Sequence, residues 1–234
     1  MAKLLVVTGG SKGIGKAILE KFASEGFDVC TCSRNKEDLQ RLTASIAERH
    51  NVRAHHFVAD MSDKQQVKAF TDFVASLKQP VDVLVNNAGY FIPGQVIDEP
   101  EGTLENMIEG NLYSAYYTTR GIAPGMRKAQ TGHIFNMCSI ASIQAYPNGG
   151  SYAISKFAML GLSKMLREEL KEHGVRVTAV LPGATLTASW EGTNLPEERF
   201  MSPEDVAEAV WGVYSLSGRS VVEEILIRPQ LGDI

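Results

Sequence analysis

The sequence predicts a doubly wound α/β fold: a parallel sheet of about seven strands with helices on both faces, formed by residues 1–234 as a single domain. Three observations carry this. Strand-like and helix-like runs alternate from end to end. The strand-like runs are apolar nearly throughout, as buried parallel strands are. A length of 234 residues suits one domain that buries most of its apolar surface, and no repeat, low-complexity segment or linker divides it.

The elements follow in order. Lys3 to Val7 is a short β-rich run that enters the turn Thr8-Gly9-Gly10-Ser11-Lys12-Gly13-Ile14-Gly15. An amphipathic helix runs from about Lys16 to Glu25, with Ala17, Ile18 and Phe22 on one face, and Gly26 closes it. Phe27 to Ser33 is the second strand. Leu39, Leu42 and Ile46 recur at three and four residues, so Asp38 to Arg49 is helical. Val52 to Val58 is the third strand, and Ser62-Asp63 caps a helix containing Val67, Phe70, Phe73, Val74 and Leu77. Val81 to Val85 is the fourth strand and leads into Asn86-Asn87-Ala88-Gly89. A long helical region over roughly Thr103 to Arg127 carries Asn111. Gly132 to Ser139 is the fifth strand, Ser151 to His173 is a helix ended by Gly174, and Val175 to Leu181 is the sixth strand. Ser202-Pro203-Glu204-Asp205 starts a helix reaching about Leu216, a variant of the capping box with Pro in the first turn. Val222 to Ile227 is the last strand.

Bulk properties exclude several classes. The formal net charge of −4 gives no electrostatic case for nucleic acid or an anionic membrane surface. The one apolar run near the N-terminus, Leu4 to Val7, does not read as a signal peptide, and no stretch approaches the ~20 apolar residues of a membrane span. A cytoplasmic protein is expected. Cys30, Cys32 and Cys138 lie in apolar, strand-like runs and read as reduced, buried thiols. No Cys/His set completes a metal site, and adjacent His55 and His56 would point to opposite faces of a strand.

Doubly wound sheets bind ligands at the carboxyl ends of their strands. Asn87, Ser139 and Pro182-Gly183 directly follow strands and are expected to cluster there. The first strand feeds a glycine-rich turn, spaced Gly-x-x-x-Gly-x-Gly at Gly9, Gly13 and Gly15, and then a helix. Small residues let the backbone approach a pyrophosphate, and the helix N-terminus offers unpaired N–H groups with a partial positive charge. No Lys-Ser/Thr pair follows, as it would in a P-loop. The second strand ends at Ser33-Arg34, where an NAD enzyme usually places an acid for the ribose hydroxyls. Arg34 can instead fork onto a 2′-phosphate, and Lys12 adds a second cation, so NADP(H) is expected over NAD(H). Glu37 and Asp38 are the nearby acids that could pair with Arg34.

Tyr152 and Lys156 stand four residues apart near the start of a helix, so they share a face with Cβ atoms roughly 5–6 Å apart. A phenol has an ordinary pKa of about 10, and a neighbouring ammonium favours its phenolate. The pair is therefore a candidate acid and base for a carbonyl or alcohol. Ser139 could hydrogen-bond the same oxygen.

Taken together, Thr8-Gly9 to Gly15, Asp60, Asn86 to Gly89, Asn111, Ser139, Tyr152 to Lys156, and Pro182-Gly183 with Thr187 resemble the short-chain dehydrogenase/reductase family over nearly the whole chain. The resemblance implies a Rossmann-type fold and NADP(H) as cofactor. It implies Asn111, Ser139, Tyr152 and Lys156 as the catalytic set. Tyr152 would protonate a ketone under reduction, Lys156 would hold the nicotinamide ribose, Ser139 would orient the carbonyl, and Asn111 would support a proton relay through water. The cofactor contacts implied are Gly9, Ser11, Lys12, Gly13, Ile14 and Gly15 in the first turn and Ser33 and Arg34 after the second strand. Asp60 and Met61 follow the third strand, and Asn87, Ala88 and Gly89 the fourth. Tyr152, Lys156, Pro182, Gly183, Thr185 and Thr187 complete that set. Two departures, Ile154 for a common Ala and Thr185 for a usual aliphatic residue, remove no catalytic group.

Ala184 to Met201 is expected to form a mobile flap over the substrate. Trp190 on it could stack on a planar substrate, with Tyr90, Phe91, Tyr146 and Met201 completing an apolar pocket; Ser139, Tyr146 and Trp190 are the expected substrate contacts. The tail from Val221 to Ile234 lacks the Asp-Gly-Gly ending usual in ketoacyl-carrier-protein reductases of this family. With Thr187 to Trp190 it is more similar to the bacterial sepiapterin-reductase-like members. An NADPH-dependent carbonyl reductase for a small ketone, diketone or pterin side-chain carbonyl is therefore expected, in a homodimer or homotetramer. The alternatives are a 3-oxoacyl-[acyl-carrier-protein] reductase, which should show a basic docking surface, and a non-catalytic NADP-binding regulator, which should have lost the catalytic set.

Overall fold

The structure, a computed structural model, describes residues 2–190 and 192–234. Seven parallel strands form one sheet in the order β3-β2-β1-β4-β5-β6-β7. They are β1 (Leu4–Thr8), β2 (Asp28–Ser33), β3 (Ala54–Val58), β4 (Val81–Asn86), β5 (Gly132–Met137), β6 (Val175–Pro182) and β7 (Glu224–Ile227). The helices are α1 (Gly13–Ser24), α2 (Lys36–His50), α3 (Lys64–Ser76), α4 (Thr103–Ile108), α5 (Ser114–Ala129), α6 (Gly150–Leu170) and α7 (Pro203–Tyr214). The predicted α/β class and parallel sheet are observed.

Both faces of the sheet are covered, which is why β1 is apolar from Leu4 to Val7 and buried throughout. Leu5 and Val7 pack with α1, α2 and α7 around Phe22, Ile46 and Val210. Leu4 and Val6 point the other way, toward α3, α5 and α6 around Phe70, Ile122 and Leu170. Local signals set the helix ends. Asn35 caps α2 by accepting from the Asp38 N–H, which starts that helix at Lys36, earlier than the apolar period alone indicated. Asp63 caps α3 through the Gln65 and Gln66 N–H groups. Ser202 and Asp205 form a reciprocal capping box on α7, with Pro203 in its first turn.

At the amino ends of the strands, Asp28 is buried and accepts from the Arg53 backbone N–H, the Arg53 guanidinium and the Gln79 amide. Burial pushes this carboxyl up, but the Arg53 and Gln79 hydrogen bonds outweigh it and leave it below the usual range. This staple closes the edge of the sheet opposite the strand ends where ligands bind.

Three expectations are refined or corrected. The long helical region over Thr103 to Arg127 is divided into two helices by a π turn, Glu109–Tyr113. Gly132 to Ser139 is strand only to Met137, because the chain leaves the sheet into a 3₁₀ turn at Ile140–Ser142. Met201 belongs to the core with Val206 and Val210, not to a substrate pocket. The described part of the expected flap holds two 3₁₀ turns, Ala188–Trp190 and Glu197–Arg199, and Glu191 lies outside the described residues. The base of the flap is tied by the Leu186 N–H to the Met201 carbonyl and the Met201 N–H to the Ala184 carbonyl.

Candidate active site

The winding of the chain reverses between β3 and β4, which pair on opposite sides of the β1–β2 unit, and the connections leaving the paired carboxyl ends of β1 and β4 go to opposite faces of the sheet. They open into a cleft of about 1010 Å³. Its first wall is the β1–α1 turn, where Gly9 (φ 69°) and Gly13 (φ 57°) take left-handed backbone that only glycine adopts without strain. Lys12 precedes α1 and makes no side-chain cap, so the first-turn N–H groups of α1 are left for a ligand. The turn is anchored from β4. The Asn87 and Ala88 N–H groups donate to Thr8 Oγ1 at 3.0 Å each, and the Asn87 amide donates to the Thr8 and Gly9 carbonyls at 3.0 Å each. Gly15 lies behind this wall rather than in it. A Cβ there would come 2.5 Å from Asn87 Nδ2, so its smallness serves the packing of α1 on the loop.

Ser11, Lys12, Gly13, Ile14, Ser33, Arg34, Asp60 and Met61 line one end of the cleft. Asp38 turns to Arg41 at 2.6 Å rather than to Arg34. Arg34 and Lys12 make no ion pair among the described residues, and both are exposed. The Asp60 carboxylate accepts from the Ser62 N–H at 3.0 Å and the Ser62 hydroxyl at 2.7 Å, which holds the turn after β3.

The other end gathers Ser139, Tyr152 and Lys156. Ser139 stands where β5 gives way to the 3₁₀ turn. Its oxygen accepts from the Ala141 N–H at 3.1 Å, which leaves its own proton free to donate. Tyr152 is on the first turn of α6, with the Phe91 ring edge-on at 4.9 Å between centroids. Lys156 Nζ donates to the Met137 carbonyl at 2.8 Å and sits 5.7 Å from the Tyr152 ring centroid. Burial pushes the Tyr152 phenol above its ordinary value, against a hydrogen bond with Ser139 that lowers it. Burial also pushes the Lys156 ammonium below its ordinary value. The expected acidification of the phenol by Lys156 is therefore not what prevails in the chain itself, where desolvation is the larger effect.

Asn111 does not face the cleft. It is fully buried in the π turn. Its Oδ1 accepts from the Tyr90 N–H at 2.8 Å, and its Nδ2 donates to the Tyr90 carbonyl at 3.1 Å and to Ser155 Oγ at 3.0 Å. Ser155 in turn donates to the Tyr152 carbonyl at 2.7 Å. Ser155 lies between the pair on α6, and sequence reasoning missed it. A Cβ on Gly89 would come 2.7 Å from Asn111 Oδ1 and 3.8 Å from Lys156 Nζ, so the backbone approaches this cluster only as glycine.

On the remaining side, Pro182, Gly183, Thr185 and Thr187 line the cleft after β6, joined by Tyr146 and Trp190. The Thr187 methyl lies 3.2 Å from where a Gly13 Cβ would stand, so this segment crosses to the glycine turn. Trp190 packs on Phe200 at 5.0 Å between centroids. Asp233 and Ile234 also line the cleft, a wall unforeseen in the tail. Arg228 Nε donates to Asp233 at 3.0 Å and folds the tail back, helped by the left-handed Gly232. The three cysteines are free and buried, and burial pushes Cys32 up to about 12, which fits inert thiols. No group of His, Cys, Asp and Glu among the described residues has a metal-holding arrangement.

The short chain dehydrogenase family model matches residues 3–198. A sepiapterin reductase from Chlorobaculum tepidum is 32% identical over 242 aligned positions, covering 100% of this chain and 99% of its own. Among solved structures, an alcohol dehydrogenase from the archaeon Thermococcus sibiricus, complexed with 5-hydroxy-NADP, superposes with a TM-score of 0.93 at 27% identity, covering 100% of this chain and 99% of its own. The L-sorbose reductase from Gluconobacter frateurii, complexed with NADPH and L-sorbose, gives 0.90 at 28% identity, covering 97% of this chain and 95% of its own.

Proposed function

The chain belongs to the short-chain dehydrogenase family, an oxidoreductase family, and from that premise we propose that it is an NADPH-dependent carbonyl reductase with Tyr152 as proton donor. The observation that carries this reading is the convergence of Ser139, Tyr152 and Lys156 at one end of a cleft whose other end holds the free cations Lys12 and Arg34.

The residues present fit a dinucleotide. Left-handed Gly9 and Gly13 and the uncapped start of α1 make a turn that a pyrophosphate can approach. Arg34 and Lys12 would hold a 2′-phosphate, Asp60 and Met61 would flank the adenine, and Asn87 to Gly89 with Pro182 to Thr187 would line the nicotinamide half. When bound, the reduced nicotinamide supplies the hydride.

The chain's own part is positioning and protons. The Tyr152 phenol, which burial raises further above its ordinary value of about 10, is protonated at neutral pH, the form that donates to a carbonyl oxygen during reduction. Ser139, with its oxygen already accepting from Ala141, has its proton available for the same carbonyl oxygen. Lys156, held by the Met137 carbonyl, offsets charge left on the phenol as the proton departs. Asn111 holds the Tyr90 backbone and, through Ser155, the turn of α6 between the two.

The substrate is a small ketone, diketone or pterin side-chain carbonyl. Phe91, Tyr146 and Trp190 give it aromatic walls, and the likeness to a sepiapterin reductase supports the planar case. The protein works as a homodimer or homotetramer, a reading supported by exposed apolar residues on the outer faces of α5 and α6.

The test is a panel of ketones, diketones, pterins and acetoacetyl thioesters followed by NADPH absorbance. A small ketone, diketone or pterin should turn over, and Tyr152→Phe should lower that turnover by ~10²–10⁴-fold while NADPH still binds. Turnover confined to the thioesters would favour an acyl-carrier reductase instead, and undiminished turnover in the phenylalanine variant would remove Tyr152 as the donor.

A further inference from the structure

Helix α6 carries both Tyr152 and Lys156, yet its own N-cap, Gly149, has no side chain to offer. The cap comes from elsewhere. Glu99, in the connection between β4 and α4, accepts from the Ser151 N–H at 2.9 Å through one carboxylate oxygen and from the Ser151 hydroxyl through the other. The two residues are 52 positions apart. Ser151 is buried and immediately precedes Tyr152.

The surroundings are shaped for this carboxylate. A Cβ on Gly94 would come 2.6 Å from Glu99 Cγ, and one on Gly150 would overlap Glu99 Oε1. The Glu99 connection is also clasped to the segment before α6, because the Gly94 N–H donates to the Asn148 carbonyl at 3.1 Å. That segment is under backbone constraint, with Asn148 at φ 63° and Gly150 at φ 35°. It leads from Tyr146, which lines the cleft, to Tyr152. The same β4–α4 connection supplies Phe91, whose ring packs edge-on against Tyr152. One stretch of chain therefore covers the phenol with one residue and caps the helix beneath it with another.

We propose that Glu99 is a positioning residue for the active site, setting the first turn of α6 and thereby the placement and enclosure of the Tyr152 hydroxyl. A carboxylate accepting an N–H and an O–H makes charge-assisted bonds, roughly twice as strong as neutral ones, and its charge is favourable at a helix N-terminus. Without it, the Ser151 N–H and hydroxyl are orphaned, and the constrained turn from Asn148 to Gly150 loses its tie. Misplacing a reacting group by about 1 Å can cost ~100-fold in rate. The consequence for turnover rests on Tyr152 being the donor; the consequence for the phenol's enclosure does not.

The test is the titration of Tyr152, followed by NMR of protein labelled with ¹³Cζ-tyrosine and assigned with Tyr152→Phe. The groups facing the phenol are Lys156 on its own helix, Ser139 and Cys138 after β5, and Tyr146 before α6. In Glu99→Ala water should reach the phenol, and its midpoint should fall toward the ordinary value of about 10. In Glu99→Gln, which keeps an acceptor for the Ser151 N–H, the midpoint should stay near that of the parent. On a substrate found by the panel, kcat should fall ~10–100-fold in the alanine variant and recover in the glutamine variant, with KM for NADPH unchanged. Should alanine prevent folding, Glu99→Asp keeps the charge while withdrawing its oxygens by one methylene, and its midpoint should fall below that of the glutamine variant. A parental midpoint in the alanine variant, or in the aspartate variant should alanine not fold, or an equal fall with glutamine, overturns the proposal. Turnover persisting in Tyr152→Phe would instead remove the donor assignment while leaving the titration result to stand.

Discussion

Arg34 and Lys12 approach the cleft from two different turns, and neither is spent on an acid among the described residues. The guanidinium of Arg34 can hold a phosphate through two parallel N–H bonds, which a ribose hydroxyl cannot match. Replacing it with a carboxylate removes that attraction and offers the ribose an acceptor. Arg34→Asp is therefore expected to lower the NADPH to NADH ratio of kcat/KM by at least ~10-fold. The same reversal should appear without turnover, since a ligand that binds only the folded chain raises its melting temperature. NADPH should stabilise the parent more than NADH, and the order should invert in the variant; an unchanged order would refute the role of Arg34. The place of this residue at the cleft was legible in the sequence because it depends only on where a strand ends. The titration of Tyr152 was not. It is set first by burial of the phenol, with Phe91 packed against the ring from a distant stretch of chain, and the i, i+4 spacing to Lys156 does not reveal that burial.

The π turn between α4 and α5 explains why Asn111 reaches where it does. A helix of uniform pitch would carry Asn111 past Tyr90; one wide turn buries both Gly110 and Asn111 and lets the amide meet the Tyr90 backbone twice. Such insertions recur at functional sites. Apolar periodicity cannot reveal one, because a single wide turn changes the spacing of only a few residues. The long helical region was thus foreseen and the π turn inside it was not, and the link through Ser155 to α6 went unseen with it. Removing the amide breaks two hydrogen bonds to the Tyr90 backbone and one to the buried Ser155, each worth roughly 0.5–1.5 kcal/mol. Asn111→Ala should lower stability by at least ~2 kcal/mol in urea denaturation. Amide exchange at Tyr90 should accelerate far more than exchange in β1 or β4. Asn111→Asp, which keeps the acceptor for Tyr90, should slow that exchange again. Exchange at Tyr90 that matches the parent in the alanine variant would show that the π turn holds without the amide.

At the scale of the whole molecule, alternating apolar strands and helices were enough to foresee a doubly wound sheet, because right-handed crossovers leave few other ways to cover both faces. The seat of the tail was not legible. Asp233 and Ile234 reach the cleft because β7 pairs with the end of β6 and the Arg228–Asp233 pair then folds the chain back over Gly183. The sheet is covered, but the outer face of α6 is not. Ile154, Phe157 and Met165 are 42%, 47% and 57% exposed, spaced to share one helix face, and Gly161 between them opens room for close approach. Tyr113 and Tyr116 add exposed aromatic surface at the start of α5. An exposed apolar stripe of this length is the kind of surface that contact with another chain covers, and symmetric contact between like chains is the commonest kind. The parent is expected to scatter light as two or four chains of 25.5 kDa each. Phe157→Glu combined with Met165→Glu sets like charges on that face and should reduce the mass to a single chain. Its melting temperature should fall as well, since subunit association no longer stabilises the fold. A parent that runs as one chain at micromolar concentration, or a variant that keeps the larger mass, would mean that α6 is not the face through which copies meet.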